Sequence, residues 1–495
     1  MSKFTVNRTL YTLAYPEPQL SISKVEFDNY IDEYCSIYAP SSNEKMARLS
    51  FYNHVELMKQ FYNAMQGTDI AFIENCLETI RNTIVDKRDE NKITYPIDVL
   101  IFVIFLAKIC DCNKAKEIAA FYAERHLELL LLVPGMPSPK HRVSAAIITA
   151  VLRMISPEQM NKLMKTYFTS IKVTLDKMIE ANCQRDRPKE IDKETLSFDG
   201  QELKSSFRRD NHSRHCKAGH VVSLFNCTLK QAIASVLTNA KNKEVNAFLT
   251  MMATLNIDIT GKIVMCDALN SKEAVSKEIL SKGADYLLNI KSNGHKDLLN
   301  HITAIFNREH DMTESNDLII NQFSEKQHGR FDVWTVEVLP ASKLSPNFKC
   351  PHDKVQTLIC YTKNSQKIIN GKTVGKVSSR TRYYLSSLSY SKKNARQIMQ
   401  SISDYWAIEA HHGRLDDKHL FDQDSIQSCN ENYLGNIASI NKIAYNFLSY
   451  KRMQKTAQLG RKTPVTYASI TRSYRVKALY ELFYDLYEFY NTKTS

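Results

Sequence analysis

Apolar residues recur at helical spacing through the first third of the chain. Residues 1–85 are rich in Tyr and Asn, and their pattern favours helices without a nameable motif. Helices with strong apolar faces are then predicted at Ile97–Cys110, Lys114–Leu132 and Pro157–Met178. Prolines between the second and third of these helices indicate a connecting loop. The pattern predicts an all-helical region in this part of the chain.

The period changes to that of strands at Thr195, whose alternating run is expected to end at Gly200. Further strands are predicted at 220–227, 232–238, 262–266 and 285–290, with helices at 243–255 and 271–281. Ser271 is the expected N-cap of the second helix. Three successive strands followed by alternating helices and strands predict a mixed sheet, antiparallel and then parallel, covered by helices.

Residues 310–390 are predicted to be rich in β structure, with strands at 330–339, 355–361 and 382–388. The pattern then returns to helices at 395–412, 432–450 and 468–490. The expected fold class is therefore α/β.

The net charge of the chain indicates which classes of partner it binds. The chain has 495 residues, which suggests two to four domains, and a formal net charge of +13. Such a surplus favours polyanions, nucleic acid before anionic membrane surfaces. Only 13 glycines occur, so glycine-rich phosphate loops are not expected. Gly371–Lys376 has neither the spacing nor the Ser/Thr of such a loop.

The expected location is the cytoplasm, in contact with the bacterial nucleoid. The longest apolar run, Val99–Ala107, is far shorter than the ~20 residues that a membrane span needs. The N-terminal residues lack the apolar core of a secretory signal. Eleven scattered cysteines are expected to be reduced thiols. His212, His215 and Cys216 lack a second ligand pair at zinc-site spacing.

Acidic residues stand where strands of the predicted sheet end. Asp199 lies on the first strand and Asp267 follows the fourth. Carboxylates that converge at one edge of a sheet repel each other unless a hard divalent cation joins them. Two such ions can stabilise the attacking and leaving oxygens of a phosphodiester. Glu409 on a later helix is the candidate third acid, and Asp416 is a further candidate seven residues on.

An ordered series of short blocks resembles the insertion-sequence transposases of the DDE superfamily, of the H-repeat-associated type. The likeness spans roughly residues 90–450, and upstream Pro96–Leu163 is similar to the helical domain that precedes the family's catalytic core. The blocks are Phe198-Asp199-Gly200, His220–Ser223, Cys266-Asp267-Ala268, Gly283–Tyr286 with Lys291 and Asn293, His328–Arg330, Arg382–Ser387, Trp406–Glu409 and Asn432–Leu448.

The resemblance implies a ribonuclease-H-like mixed sheet flanked by helices, with a β-rich insertion and a preceding α-helical domain. It implies that Asp199, Asp267 and Glu409 bind two Mg²⁺ or Mn²⁺ ions. Asp416 is an additional candidate ligand because of its position on the same helix as Glu409. The implied reaction is DNA cleavage at element ends followed by attack of the freed 3′-OH on target DNA. The expected partners are double-stranded DNA and, in the DNA complex, further copies of this chain.

The hydrophobic pattern and the resemblance together divide the chain into five predicted parts. Residues 1–85 form an N-terminal helical region with a role in DNA binding to be tested, and 86–190 form the helical associated domain. Residues 191–300 and 391–450 form the catalytic core, which is interrupted by the β-rich insertion 301–390. Residues 451–495 form a basic helical tail.

Basic residues near the predicted strand ends are candidate DNA contacts. The candidates are Lys204, Arg208, Arg209, Arg214, Lys291, Asn293 and Arg330. The basic segment Lys451–Lys477, with interleaved tyrosines, is either a further DNA contact or a solvated helix face.

The sequence departs from the family at several positions. Gln201 replaces a Lys, Lys272 replaces a Gln, and Ala410 replaces an Asn, while Gln423-Asp424 stands for a Glu-Asp pair. Two alternatives therefore stay open: a catalytically degraded DNA-binding remnant, and a ribonuclease-H-like nuclease.

Overall fold

A computed structural model describes residues 23–38, 56, 59, 71–137, 142–169, 193–206, 218–238, 241–312, 317–327, 329–370, 372–460, 464–477 and 479–491. The chain divides into two compact units. We call Met1–Met178 with Arg414–Ser495 the helical unit, and Ile179–Gly413 the sheet unit. This division is coarser than the five-part organisation expected from the sequence, which stays a prediction.

The helical unit is built around a helix that is buried on every side. Its N-terminal helices are α1 (Lys24–Tyr38), α2 (Ala71–Thr83), α3 (Ile97–Ile109), α4 (Ala115–Glu124), α5 (His126–Leu132), α6 (Ala145–Met154) and α7 (157–169). All thirteen residues of α3 are buried, which fits its unbroken apolar sequence. The predicted helices at 97–110 and 157–178 are thus confirmed as far as the described residues extend.

The C-terminal helices of this unit are α12 (Glu431–Gln458), α13 (Tyr467–Val476) and α14 (Leu479–Asn491). Asn436 of α12 donates from its side chain to the carbonyl oxygens of Leu152 and Ile155 at 2.8 Å. These bonds satisfy the open C-terminal carbonyls of α6 and fix α12 against it.

The described strands of the sheet unit form one nine-stranded sheet in the order β3-β2-β1-β4-β5-β9-β8-β7-β6. The first five are β1 (Thr195–Leu203), β2 (Gly219–Asn226), β3 (Gln231–Thr238), β4 (Ile263–Cys266) and β5 (Asp285–Ile290). Strands β1, β2 and β3 pair antiparallel, whereas β4 runs parallel to both β1 and β5. This mixed arrangement is the ribonuclease-H-like core expected from the sequence.

The β-rich insertion extends the same sheet. It comprises β6 (Ile319–Gln327), β7 (Arg330–Pro340), β8 (Thr357–Ile369) and β9 (Lys372–Ser386), all paired antiparallel in sequence order. The end of β9 pairs antiparallel with β5, so the insertion adjoins the core sheet at that edge.

Helices cover this sheet and link its strands. They are α8 (Glu244–Thr254), α9 (Glu273–Ser281), α10 (Ser292–Asp311) and α11 (Lys392–Asp416). Phe198 of β1 stacks on Phe248 of α8 at a ring distance of 4.3 Å. Ile398 and Ile402 of α11 join a buried cluster with Met265 of β4. Alternate residues of β1 and β4 therefore face α8 and α11.

The structure corrects four expected boundaries. Strand β1 continues through Gly200, which pairs with Val222. Helix α9 begins after Lys272, because the Ser271 hydroxyl donates back to the Asp267 carbonyl oxygen instead of capping the helix. The predicted helix 114–132 is broken at Arg125, and 468–490 is broken after Val476, since the backbone at Arg125 and Lys477 is not helical.

Candidate active site

Strand register brings the first two candidate acids side by side. Phe198 of β1 pairs with Cys266 of the parallel strand β4. Asp199 is the next residue of β1, and Asp267 directly follows the end of β4. Neighbouring strands lie about 4.8 Å apart, so the backbones at Asp199 and Asp267 are immediate neighbours. Alternation along the strands turns both side chains toward the α11 side of the sheet, opposite to Phe198.

The helical spacing of side chains along α11 brings Glu409 toward Asp199 and Asp267. Ile398, Ile402, Tyr405 and Glu409 follow one another at spacings of four, three and four residues, which places them on one helix face. The two isoleucines pack into the buried cluster that contains Met265. Glu409 thus extends the sheet-facing stripe of α11 toward the strand ends, although its residue is largely exposed.

The electrostatics of Asp199 indicate that several carboxylates converge. Burial raises the pKa of Asp199 to about 7, and the Glu244 carboxylate is the next largest cause. The carboxylates of Asp267 and Glu409 raise this pKa further, against a lowering by a hydrogen bond with the Gly200 backbone. Burial and these same acids also raise the pKa of Tyr405 far above its ordinary value, so its hydroxyl stays protonated.

Cations flank the third acid. Burial raises the pKa of Glu409, whereas Arg382 and Lys291 oppose that shift by favouring its charged form. Arg382 lies in β9 and Lys291 directly precedes α10, so both come from elements next to β5. The site therefore combines carboxylates with nearby positive charge. This combination suits a nucleic-acid backbone phosphate held beside metal-binding acids.

A histidine and an amide border Asp199. His412 Nδ1 lies 3.5 Å from Asp199 Oδ2. Gln201, which stands where the family has Lys, is buried and donates from Nε2 to the His412 carbonyl oxygen at 3.2 Å. Gln201 thus ties β1 to α11 near its C-terminal end.

The donor set fits a hard divalent cation, because carboxylate oxygens are the ligands that Mg²⁺ and Mn²⁺ prefer. Mutual repulsion among the acids, visible in the raised pKa of Asp199, is the property that a bound cation relieves. Within the described ranges, no group of three His, Cys, Asp or Glu side chains stands close enough to form a metal cluster as placed. The acids share an electrostatic neighbourhood, not a closed ligand shell.

Asp416 has a different surrounding from the three acids. It follows Glu409 by seven residues in α11, which corresponds to about 10 Å along the helix axis. It belongs to the helical unit, where its charge acts on the buried Lys442. Burial lowers the pKa of Lys442 to about 7, and Asp416 opposes that shift. Asp416 thus has an electrostatic partner of its own.

Comparison with known proteins identifies the family. A family model described as "Transposase DDE domain" matches residues 190–447, more than half of the chain. The chain belongs to this family. A second model, described as "DDE_Tnp_1-associated", matches residues 80–168. Members of the DDE transposase family are DNA-processing enzymes that generally use divalent metal ions.

Relatives of this DDE transposase occur in Escherichia coli strain K12. The protein YbfL and the H repeat-associated protein YhhI are each 24% identical over 401 residues, which is 80% of this chain and 95% of theirs. The H repeat-associated protein YbfD is 29% identical over 28% of this chain and 52% of its own.

Among solved structures, a piggyBac transposase synaptic complex with hairpin DNA aligns over 86% of this chain and 80% of its own. The identity is 11% and the TM-score 0.35, too low to support a structural inference.

The candidate DNA contacts of this transposase that the structure describes are on the surface. Lys204 follows β1, Lys291 and Asn293 lie at the start of α10, and Arg330 begins β7. All four residues are exposed. Arg208, Arg209 and Arg214 lie outside the described residues, as do His212, His215 and Cys216.

The basic C-terminal segment has partners within the helical unit. Lys451 is buried and pairs with Asp485 at 2.8 Å. Arg452 lies over the ring of Tyr467, and Lys455 over that of Tyr474. These contacts give Lys451, Arg452 and Lys455 a structural role within the unit, so a solvated helix face does not describe these three cations.

Sequence reasoning missed an aromatic cleft next to Glu409. The cleft has a volume of about 320 Å³, and both tryptophans of the chain line it. Phe323 stacks on Trp334 at 5.4 Å, and the Arg382 guanidinium lies 4.8 Å from the centre of the Trp406 ring. Trp406 precedes Glu409 by three residues on α11 and is 38% exposed. The scarcity of tryptophan, with two in the whole chain, was the available signal.

No helix in the part of the chain described here is long and apolar enough to cross a membrane. The eight cysteines whose side chains the structure describes are free thiols, as expected.

Proposed function

We propose that this DDE transposase cleaves DNA at the ends of its own element and joins the freed 3′-OH to target DNA. Asp199, Asp267 and Glu409 are the proposed metal ligands, with Asp416 as a less central candidate. The observation that carries the proposal is the strand register that sets Asp199 beside Asp267, together with the raised pKa of Asp199. Asp267 contributes to that raised pKa, and so does Glu409, which is more than 200 residues away in sequence.

The proposed cofactor is a pair of Mg²⁺ or Mn²⁺ ions held by these carboxylates. When bound, two such ions activate the attacking oxygen and stabilise the leaving oxygen of a phosphodiester. The protein's own contribution is to hold the acids together at one edge of the sheet. The neutral Tyr405 hydroxyl and the His412 ring border the same edge and are placed to orient oxygen atoms there.

The proposed DNA path follows the exposed cations around this edge. Lys291 and Arg382 act on Glu409 electrostatically, so a phosphate bound by them would lie beside the acids. Lys204 and Arg330 extend the positive surface, and the Asn293 amide adds a neutral hydrogen-bonding group. Arg208, Arg209 and Arg214, which lie outside the described residues, are proposed DNA contacts as well. Contacts of this kind supply affinity that falls as salt rises.

The aromatic cleft is a proposed support for DNA that has left the duplex. Trp406 and Arg382 present a ring face and a guanidinium beside Glu409. Aromatic rings and Arg hold unpaired nucleotides by stacking, without regard to sequence. A strand whose end is held there would keep its phosphate near the acids.

The proposed organisation follows the family. The helical regions 1–85 and 86–190 would help to bind element ends, and a dimer is expected in the DNA complex because two ends must be held together.

The test is a cleavage assay with the purified full chain, DNA carrying the ends of its element, and Mg²⁺ or Mn²⁺. The expected products are nicked ends and strand-transfer joints, both absent in EDTA. Binding without nicking would instead support a degraded remnant. Hydrolysis without joints would support a nuclease, and DNA binding that is absent or insensitive to salt would overturn the proposal.

A further inference from the structure

Three buried polar side chains form a connected group beneath β1. His220 Nε2 lies 2.7 Å from Glu244 Oε1, and the Asn270 side-chain amide donates to Glu244 Oε2. His220 comes from β2, Glu244 begins α8, and Asn270 lies in the loop after β4. All three residues are at least 95% buried. We call this group the polar bracket.

Burying the side chains of the polar bracket costs free energy. A buried carboxylate is costly unless hydrogen bonds compensate for the lost water. Both oxygens of Glu244 receive such a partner, one from each neighbouring element. The three side chains come from β2, α8 and the loop after β4, which are separate in sequence. Their hydrogen bonds therefore hold these three elements in one relative position.

The bracket reaches both proposed aspartate ligands. The Asn270 backbone N–H donates to Asp267 Oδ1 at 2.9 Å, so the residue that anchors to Glu244 also holds the Asp267 carboxylate. A Cβ at Gly200 would lie 2.0 Å from His220 Nε2 and 2.3 Å from Glu244 Oε1. The His220–Glu244 pair therefore fits only against the bare backbone directly after Asp199.

We propose that His220, Glu244 and Asn270 are positioning residues that fix the Asp199–Asp267 geometry for metal binding. This inference rests on the proposed function, since it assumes that the two aspartates bind the cation. The glycine of the Asp-Gly pair then has a specific role: its missing side chain is the space in which the bracket lies. The bracket acts through Asn270 on Asp267 and through the Gly200 backbone on Asp199.

The main variant is Asn270→Ala, which removes the anchor to Glu244 and leaves the backbone bond to Asp267 possible. Asn270→Ser, whose side chain is too short to reach Glu244, repeats the test if the alanine variant does not fold. Glu244→Gln is the conservative variant, because its amide can still accept from Asn270 and donate to His220. Glu273→Gln is the matched control, a first-turn glutamate of α9 that is exposed and pairs with Lys277.

Two readouts separate the bracket from the proposed function. Hydrogen–deuterium exchange of the 267–272 loop, measured in EDTA on the full chain, reports the bracket without any metal. Calorimetric titration with Mn²⁺ reports cation affinity. We expect Asn270→Ala to exchange faster in this loop and to bind Mn²⁺ about 10- to 100-fold more weakly. Glu244→Gln should keep loop exchange near the parent's, and Glu273→Gln should match the parent in both.

Loop exchange and Mn²⁺ affinity of Asn270→Ala equal to the parent's would overturn the inference. Faster exchange with unchanged Mn²⁺ affinity would also overturn it, because the bracket would then be structural only. Failure of the parent itself to bind Mn²⁺ would instead overturn the proposed function, whatever the exchange data show.

Discussion

Replacing Asp199 by Asn should change how the stability of the sheet unit depends on pH. In the parent, burial and the surrounding carboxylates raise the pKa of Asp199 from 3.8 to about 7. The folded chain therefore holds a proton at Asp199 that the unfolded chain releases at lower pH. As pH rises from about 4 through about 7, folding stability falls, because ionisation favours the unfolded state. An Asn side chain does not titrate in this range. Asp199→Asn therefore lacks this pH-dependent change in folding stability.

The size of the effect follows from the shift. Between about pH 5 and about pH 8, the two pKa values correspond to a loss of roughly 2.5 kcal/mol of unfolding free energy. The side chain of Asp199 is 23% exposed, so little of this value is lost to solvent screening. The parent should lose this amount relative to Asp199→Asn over that interval.

The measurement is urea unfolding in EDTA at several pH values, followed by tryptophan fluorescence. Trp334 and Trp406 are the only tryptophans of the chain, and both lie in the sheet unit, so the signal reports the unit that holds Asp199. Glu202→Gln, an exposed acid on the same strand, is the control and should follow the parent.

Added Mn²⁺ should stabilise the parent at about pH 8 more than it stabilises Asp199→Asn, because ligand binding to the folded state adds to stability. Parallel pH profiles for the parent and Asp199→Asn would refute the reasoning, because burial and the neighbouring carboxylates would then not raise the pKa of Asp199 in the folded chain.

Three further predictions concern the same unit. Asp267→Asn and Glu409→Gln should abolish cleavage and leave DNA affinity equal or higher, because repulsion toward phosphate falls; parallel cleavage and mobility-shift assays measure both, and parental cleavage would exclude that side chain as a ligand. Trp406→Ala should weaken binding of single-stranded DNA by about 5- to 150-fold in fluorescence anisotropy; an equal loss for duplex DNA would contradict stacking. Gly200→Ala should cost about 1–3 kcal/mol of unfolding free energy, whereas Gly413→Ala, in open space on a helix, should add about 0.5–1 kcal/mol; a neutral Gly200→Ala would argue against the close contact.

Much of the fold followed from local patterns. Strand β5 begins and ends at the predicted residues 285 and 290, and the mixed order of the first five strands was expected. The end predicted for β1 was wrong because Gly200 was taken as a strand breaker. A glycine in a strand also marks a close approach by other groups, and here the His220–Glu244 pair makes that approach.

The sequence was sufficient to select the three acids as candidate metal ligands. It did not reveal the buried residues that are proposed to position them. Asp199 stands out as an acid within a strand, Asp267 as an acid that follows an apolar strand, and Glu409 continues an apolar helix stripe. Glu244 looks like an ordinary first-turn glutamate, as common as the exposed Glu273 in the next helix. Only tertiary contacts distinguish them, since burial of Glu244 depends on a histidine 24 residues away in sequence and an asparagine 26 residues away.

The position of the insertion links the aromatic cleft to the acids. Because β9 returns to pair with β5, its residues Tyr383 and Tyr384 lie opposite Ile290 and Asn289 at the end of the core strand. Arg382, the preceding residue, thereby reaches both the Trp406 ring and the neighbourhood of Glu409. An insertion attached elsewhere on the sheet would not bring its cations to the third acid. The β-rich segment therefore does more than lengthen the sheet: it supplies the aromatic and basic wall beside the proposed reaction centre.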